Sequence, residues 1–131
     1  MSAMSDYLEN KALDHLFNVA SYSAPCTYAA LFSTAPSDSS SGLEITAGAS
    51  YLRQQVVNWD AAASGATENT SIITFPVATA SYNVVSVALM DGSTVGCATN
   101  MLWYGPLSTS RLVNVDDTFQ FAASALDVTL N

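Results

Sequence analysis

The sequence predicts a mainly β protein: an antiparallel, jelly-roll-like β-sandwich preceded by one N-terminal α-helix. Three observations carry this. Short apolar or alternating runs recur between turns rich in Gly, Pro and Asp, the signature of a sandwich or barrel. No helical pattern lies between those runs, which argues against a parallel βαβ sheet. One stretch near the N terminus has apolar residues at helical spacing. A chain of 131 residues fits one domain, with the helix expected in 5–19 and the sandwich over 26–131. It is long enough to bury roughly two thirds of its unfolded surface.

The helix reads from Asp6 to near Asn18 or Val19. Asp6 is placed to cap it, with Glu9 three residues on as in a capping box. Leu8, Ala12, Leu13, Leu16 and Phe17 form one apolar stripe, opposite Glu9, Asn10, Lys11 and Asp14. Pro25 cannot continue a helix.

The first strand is expected over 27–33, followed by a Ser-rich loop over 35–48. Residues 51–59 read as a strand, with Leu52 and Val56 on one face and Tyr51, Arg53, Val57 and Trp59 on the other. Residues 60–69 are small and polar and read as a connection. Residues 70–75 form the next strand, closed by Pro76. The most apolar run, 82–90, is expected to be central, and Asp91-Gly92 signals a hairpin after it. Residues 100–104 pair back until Gly105-Pro106, and 110–115, 118–122 and 126–130 complete the set, with Asp116-Asp117 as a turn.

Composition narrows function. Only 11% of residues are charged, and eleven acids face Lys11, Arg53 and Arg111, for a net charge of −8. Three cations cannot neutralise many phosphates, so nucleic-acid partners are excluded and anionic membranes disfavoured. No apolar run approaches the roughly 20 residues that span a bilayer, and the opening residues do not read as a signal peptide. Scarce charge beside many Ser, Thr, Ala and Asn residues suggests broad neutral surfaces of the kind that pack in assemblies. Cys26 and Cys97 read as buried free thiols, with a disulfide between them as the alternative.

Chemistry-bearing motifs are sparse. His15 is the only histidine, and it reads as a helix-surface residue. There is no G-x-S-x-G turn, no phosphate-binding glycine loop and no zinc-ligand spacing. Asp91, Asp116, Asp117 and Asp127 read as turn acids bonded to local backbone, with calcium ligation as the other reading. Trp59, Tyr82, Trp103 and Tyr104 read as packing residues or, alternatively, as a sugar-stacking surface. Trp103 and Tyr104 must point to opposite faces. Asn69-Thr70-Ser71 matches a glycosylation sequon, but no secretory signal accompanies it.

The run Ser5-Asp6-Tyr7-Leu8-Glu9-Asn10-Lys11 with Leu13-Asp14-His15 resembles the start of a family of small tailed-bacteriophage virion structural proteins, usually labelled "phage tail fiber protein". Further similarity lies in Ser33-Thr34-Ala35, Gly42-Leu43-Glu44, Tyr51-Leu52-Arg53, Ile73-Thr74-Phe75-Pro76, Leu102-Trp103-Tyr104-Gly105-Pro106-Leu107, Phe121-Ala122 and Leu126-Asp127-Val128-Thr129-Leu130. The stretch 90–101 departs by lacking a Gly-Gly-Asn turn, and Asp117 stands where glycine is expected.

The resemblance implies a non-enzymatic virion component, assembled in the host cytoplasm, with no cofactor, metal or catalytic residue. As a capsid decoration or cement protein, or an accessory tail protein, it would act by multivalent adhesion. Its partners would be the major capsid protein or tail proteins, and sister copies, a trimer being plausible. A receptor-binding module for host glycan is the alternative, and a glycan-cleaving enzyme using turn carboxylates is a third. Leu8, Leu13, Leu16, Phe17 and Trp103 are the candidate interface residues.

Overall fold

The computed structural model describes residues 3–95 and 100–130. Its elements, in chain order, are β1 (Ala3–Met4), α1 (Asp6–Leu16), β2 (Thr27–Thr34), β3 (Leu43–Glu44), β4 (Gln54–Val56), β5 (Ala66–Glu68), β6 (Ile73–Thr74), β7 (Tyr82–Met90), β8 (Met101–Val113), β9 (Gln120–Phe121) and β10 (Asp127–Thr129), with a short 3-10 turn before β4. The three longest strands make the frame of one antiparallel sheet in the order β1-β8-β7-β2. Two short strands, β3 and β4, share the remaining edge of β2. The antiparallel pairs β5/β10 and β6/β9 pack over one face of this sheet.

Alternation along β2 and β7 explains the layering. Ala29, Leu31, Val87 and Leu89 point into the main core, where they meet Phe75, Phe121, Leu126 and Val128. Ala30, Phe32, Ala88 and Met90 point the other way and form a second buried cluster with Met101 and Tyr104. Strands buried on both faces read as continuous apolar runs, and 82–90 is central as expected. At the heart of the main core the Phe75 ring lies 6.0 Å from Tyr51 in a stacked arrangement and 5.9 Å from Phe119 edge-on.

The helix is fastened to the sheet at its start. Ser5, rather than Asp6, is the cap: it has extended backbone angles, and its Oγ accepts from the Leu8 N–H at 3.3 Å. The same hydroxyl donates to the Met101 carbonyl, and the Ser5 N–H donates to the Leu102 carbonyl at 2.9 Å. The helix ends at Leu16, sooner than expected, because Asn18 takes a left-handed conformation with φ 59°, a common terminator.

Elsewhere the structure corrects several strand expectations. The 51–59 run shrinks to β4 because its alternation slips: Tyr51 and Arg53 are buried with Leu52 exposed, whereas Val56 is buried with Val57 exposed. Gly105-Pro106 does not stop β8. Val84 pairs with Arg111 and Ser86 with Pro106, so Leu107, Ser108, Thr109 and Ser110 all lie opposite Val85 in a wide bulge. Such a bulge tolerates a proline. Three strands appear where loops or unstructured chain were expected: β1, β3 and β5. Cys26 is an exposed free thiol rather than a buried one; Cys97 lies outside the described residues. Asn69 is fully buried, and its amide donates to the carbonyls of Ser71 and Ala122 and accepts from the Leu126 N–H. It is a core polar link and offers no access to a glycosylating enzyme.

Gly42 allows β3 to turn back onto β2. It has φ +62°, and a Cβ there would lie 2.5 Å from the Thr34 carbonyl oxygen and 2.7 Å from the Pro36 nitrogen. Gly42→Ala is therefore expected to destabilise the fold by about 2 kcal/mol or more. Gly48→Ala, whose nearest contact would be 3.8 Å away, should change stability by less than about 0.5 kcal/mol. Urea midpoints of the two variants check this.

Candidate interface

One polar cluster of the chain is turned inward. Glu44 on β3 and Arg53, just before β4, form a buried two-pronged ion pair. Arg53 Nε donates to Glu44 Oε1 at 2.7 Å and its Nη2 to Oε2 at 2.8 Å, while Nη1 donates to the Gly92 carbonyl at 2.8 Å. Tyr51 completes the cluster: its hydroxyl donates to Glu44 Oε1 at 2.9 Å and accepts from the Leu31 N–H at 2.8 Å. Burial first, and then the Glu44 carboxylate, push the Tyr51 phenol well above its ordinary value. Tyr51 and Arg53 share one face of the strand predicted over 51–59, whereas Glu44 was marked only through the resemblance of the Gly42-Leu43-Glu44 run.

The remaining titratable groups singled out in the sequence are engaged with backbone or lie on the surface. His15 is exposed, and its Nδ1 accepts from the Tyr22 N–H at 3.2 Å. Asp91 accepts from the Asn100 N–H and side-chain amide, both at 2.9 Å, and Asp117 accepts from the Asn114 N–H at 3.2 Å. Among the described residues no group of three or more His, Cys, Asp and Glu side chains could hold a metal ion. Among the same residues no helix is long and apolar enough to cross a membrane.

The five candidate interface residues divide into two sets. Leu8 is buried in the main core, and Trp103 is half-buried against it. Leu13, Leu16 and Phe17 face solvent, at 53%, 72% and 73% exposure, and Val19 joins them at 73%. Spacings of three and four residues put Leu13, Leu16 and Phe17 side by side on the helix. Val19, at the end of the helix that the sequence predicts, was not singled out there; it lies past the observed helix end. Trp103 and Tyr104 point to opposite faces, as expected, and pack against different clusters. Burial, then the Asp38 side chain, raises the Tyr104 phenol above its usual value, which ties the loop after β2 to β8.

Residues 3–129 match the family model described as "Podophage GP4 fiber I protein gp80". No curated protein matches the chain. The match spans nearly the whole sequence, so the chain belongs to this phage fibre protein family.

The buried cluster yields a measurable prediction. Glu44→Gln strands a buried guanidinium and should cost about 3–5 kcal/mol, while Tyr51→Phe leaves the Leu31 N–H unpartnered and should cost about 1–3 kcal/mol. The folded chain also holds the Tyr51 proton at pH values where the unfolded chain, titrating near pH 10, releases it. This contribution is whole below about pH 10 and shrinks as pH rises further, by up to about 1.4 kcal/mol per unit. Urea denaturation from about pH 8 to about pH 11 should show the steeper alkaline loss in the parent chain and a slope shallower by about one proton in Tyr51→Phe.

Proposed function

We propose that this member of the podophage fibre family is a structural subunit of the phage particle, non-enzymatic, and seated through the apolar patch at the end of α1. The observation that carries the reading is that patch. Leu13, Leu16 and Phe17 stand largely in water at the end of a helix whose start is bonded to β8, and the exposed Val19 follows just past it. A rigid element presenting contiguous exposed apolar side chains marks an interaction surface. Burying it contributes roughly 25 cal/mol per Å² of apolar area, and copies acting together turn a modest contact into firm attachment. The family's description supports a seat on a fibre in preference to capsid decoration. Sister copies and neighbouring fibre or tail proteins are the partners this reading names.

A second reading, a module that holds host glycan, is favoured by a different feature. A cleft of about 650 Å³ lies beside the β8 bulge, lined by Ser108, Thr109, Arg111 and Gln120 together with Phe119 and Phe121. Hydroxyl and cationic groups sharing a cleft with aromatic residues suit a sugar.

The paired substitution Leu16→Ser with Phe17→Ser separates the two. Both sites are exposed, so the fold should keep its stability within about 0.5 kcal/mol. Incorporation into particles, read by quantitative mass spectrometry of purified virions, should fall by about tenfold or more, the effect of losing about 1.4 kcal/mol at one contact. Full incorporation of the double variant would overturn the patch as the seat. Glycan binding lost in Arg111→Ala, with incorporation intact, would move the function to the cleft.

A further inference from the structure

A groove of about 450 Å³ opens between α1 and the β5/β10 pair. Its walls are almost wholly carbon and include Met4, Leu8, Trp59, Trp103 and Val128. The Trp59 indole N–H donates to Thr27 Oγ1 at 3.2 Å, but that of Trp103 is buried with no partner. Met4, Ala12 and Leu130 line this groove and also a second hollow of about 420 Å³, so the two adjoin; the second brings in the Glu9 and Asp38 carboxylates.

No lysine or arginine is among the residues lining either hollow. Arg53 is held by Glu44, Lys11 lies over the Tyr7 ring at 5.7 Å, and Arg111 lines the separate cleft beside the β8 bulge. The groove therefore combines an apolar well with an adjoining acidic end that no cation of this chain lines. A sugar would find too few polar partners in the well. A second copy would bring its own acids toward Glu9 and Asp38, since the chain carries a net charge of −8.

We propose that this groove seats a segment of a partner protein in which an aromatic or large apolar side chain stands beside a lysine or arginine. The apolar side chain fills the well between the two tryptophans. The cation faces Glu9 and Asp38. The inference deepens the structural-subunit reading by naming the partner's chemistry, and it rests on that reading for the partner being another protein of the particle.

The chain has two tryptophans, and both line the groove, so intrinsic fluorescence reports its occupancy directly. Titration with N-acetyl-Phe-Arg-amide should give a saturable emission change. N-acetyl-Gly-Arg-amide, lacking the anchor, and N-acetyl-Phe-Glu-amide, of the wrong charge, should each bind at least about fivefold more weakly. High salt should weaken the first peptide toward the level of the acidic one. Ala12→Phe should fill the groove and abolish the response. Should that variant fail to fold, the surface pair Glu9→Gln with Asp38→Asn still tests the acidic end, by an about threefold or greater loss for the arginine peptide alone. Equal binding of the acidic and basic peptides, or no emission change at high peptide concentration, overturns the proposal. So does an emission shift that appears on concentrating the protein alone, together with dimers in sedimentation, because the occupant is then a second copy. Failed peptide binding in a chain still built into particles sinks the groove only. A chain that binds the peptide but is absent from particles sinks the structural reading instead.

Discussion

The edge of β2 is where this fold is decided. Two separate short strands divide that edge: β4 pairs with residues 27–29 and β3 with 32 and 34. Leu31 falls in the gap, buried and committed on its other side to Val87 of β7. Its carbonyl is taken by the Ile45 N–H at 3.0 Å, and its own N–H is taken by the Tyr51 hydroxyl. A backbone donor orphaned here would cost about 1–3 kcal/mol, a large share of a small domain's net stability. Having drawn a phenol inside, the chain must direct its proton, and Glu44 accepts it. Glu44, in turn, is a carboxylate removed from water and requires Arg53. The planar guanidinium spans both carboxylate oxygens and has a third nitrogen left for the Gly92 carbonyl, a geometry that a lysine cannot reproduce. One gap in a strand edge thus explains three buried polar side chains and joins four segments of the chain.

How far the sequence revealed this depends on whether the information was local. The central strand 82–90 was legible to the residue, because a run buried on both faces needs no partner to announce it. The helix was legible in kind but not in length, since Asn18 turns left-handed in a position no propensity marks. The strands β1, β3 and β5 are two or three residues long and carry no periodicity; Ala66–Glu68 becomes a strand only because Asp127–Thr129 lies alongside. At 51–59 the alternation was read as continuous, whereas the pull of Tyr51 and Arg53 toward Glu44 breaks its phase. Gly105-Pro106 reads as a stop until the long excursion of 107–110 is seen, which leaves Pro106 paired with Ser86 beside a bulge.

The candidate interface residues show the same limit in a different form. At 3.6 residues per turn, Leu8, Ala12, Leu16, Leu13 and Phe17 spread over roughly half the helix circumference. That is wider than one packed face can cover, so periodicity alone could not say which residues were core. The anchoring of Ser5 to β8 settles the roll of the helix. It turns Leu8 inward toward Trp103 and Ala12 toward the groove, and leaves Leu13, Leu16 and Phe17 outside.

Electrostatics then separates what this surface attracts from what it repels. The negative charges act on partners over about 8 Å at physiological salt. They favour encounter with basic surfaces and oppose the close approach of identical copies, except where acids are kept apart. The apolar patch has no such preference of its own, because hydrophobic contact is not directional. Attachment by the patch alone would be adhesive but unselective. Under the proposed role, the net negative charge of the chain would let such a patch discriminate among apolar surfaces by the charge beside them.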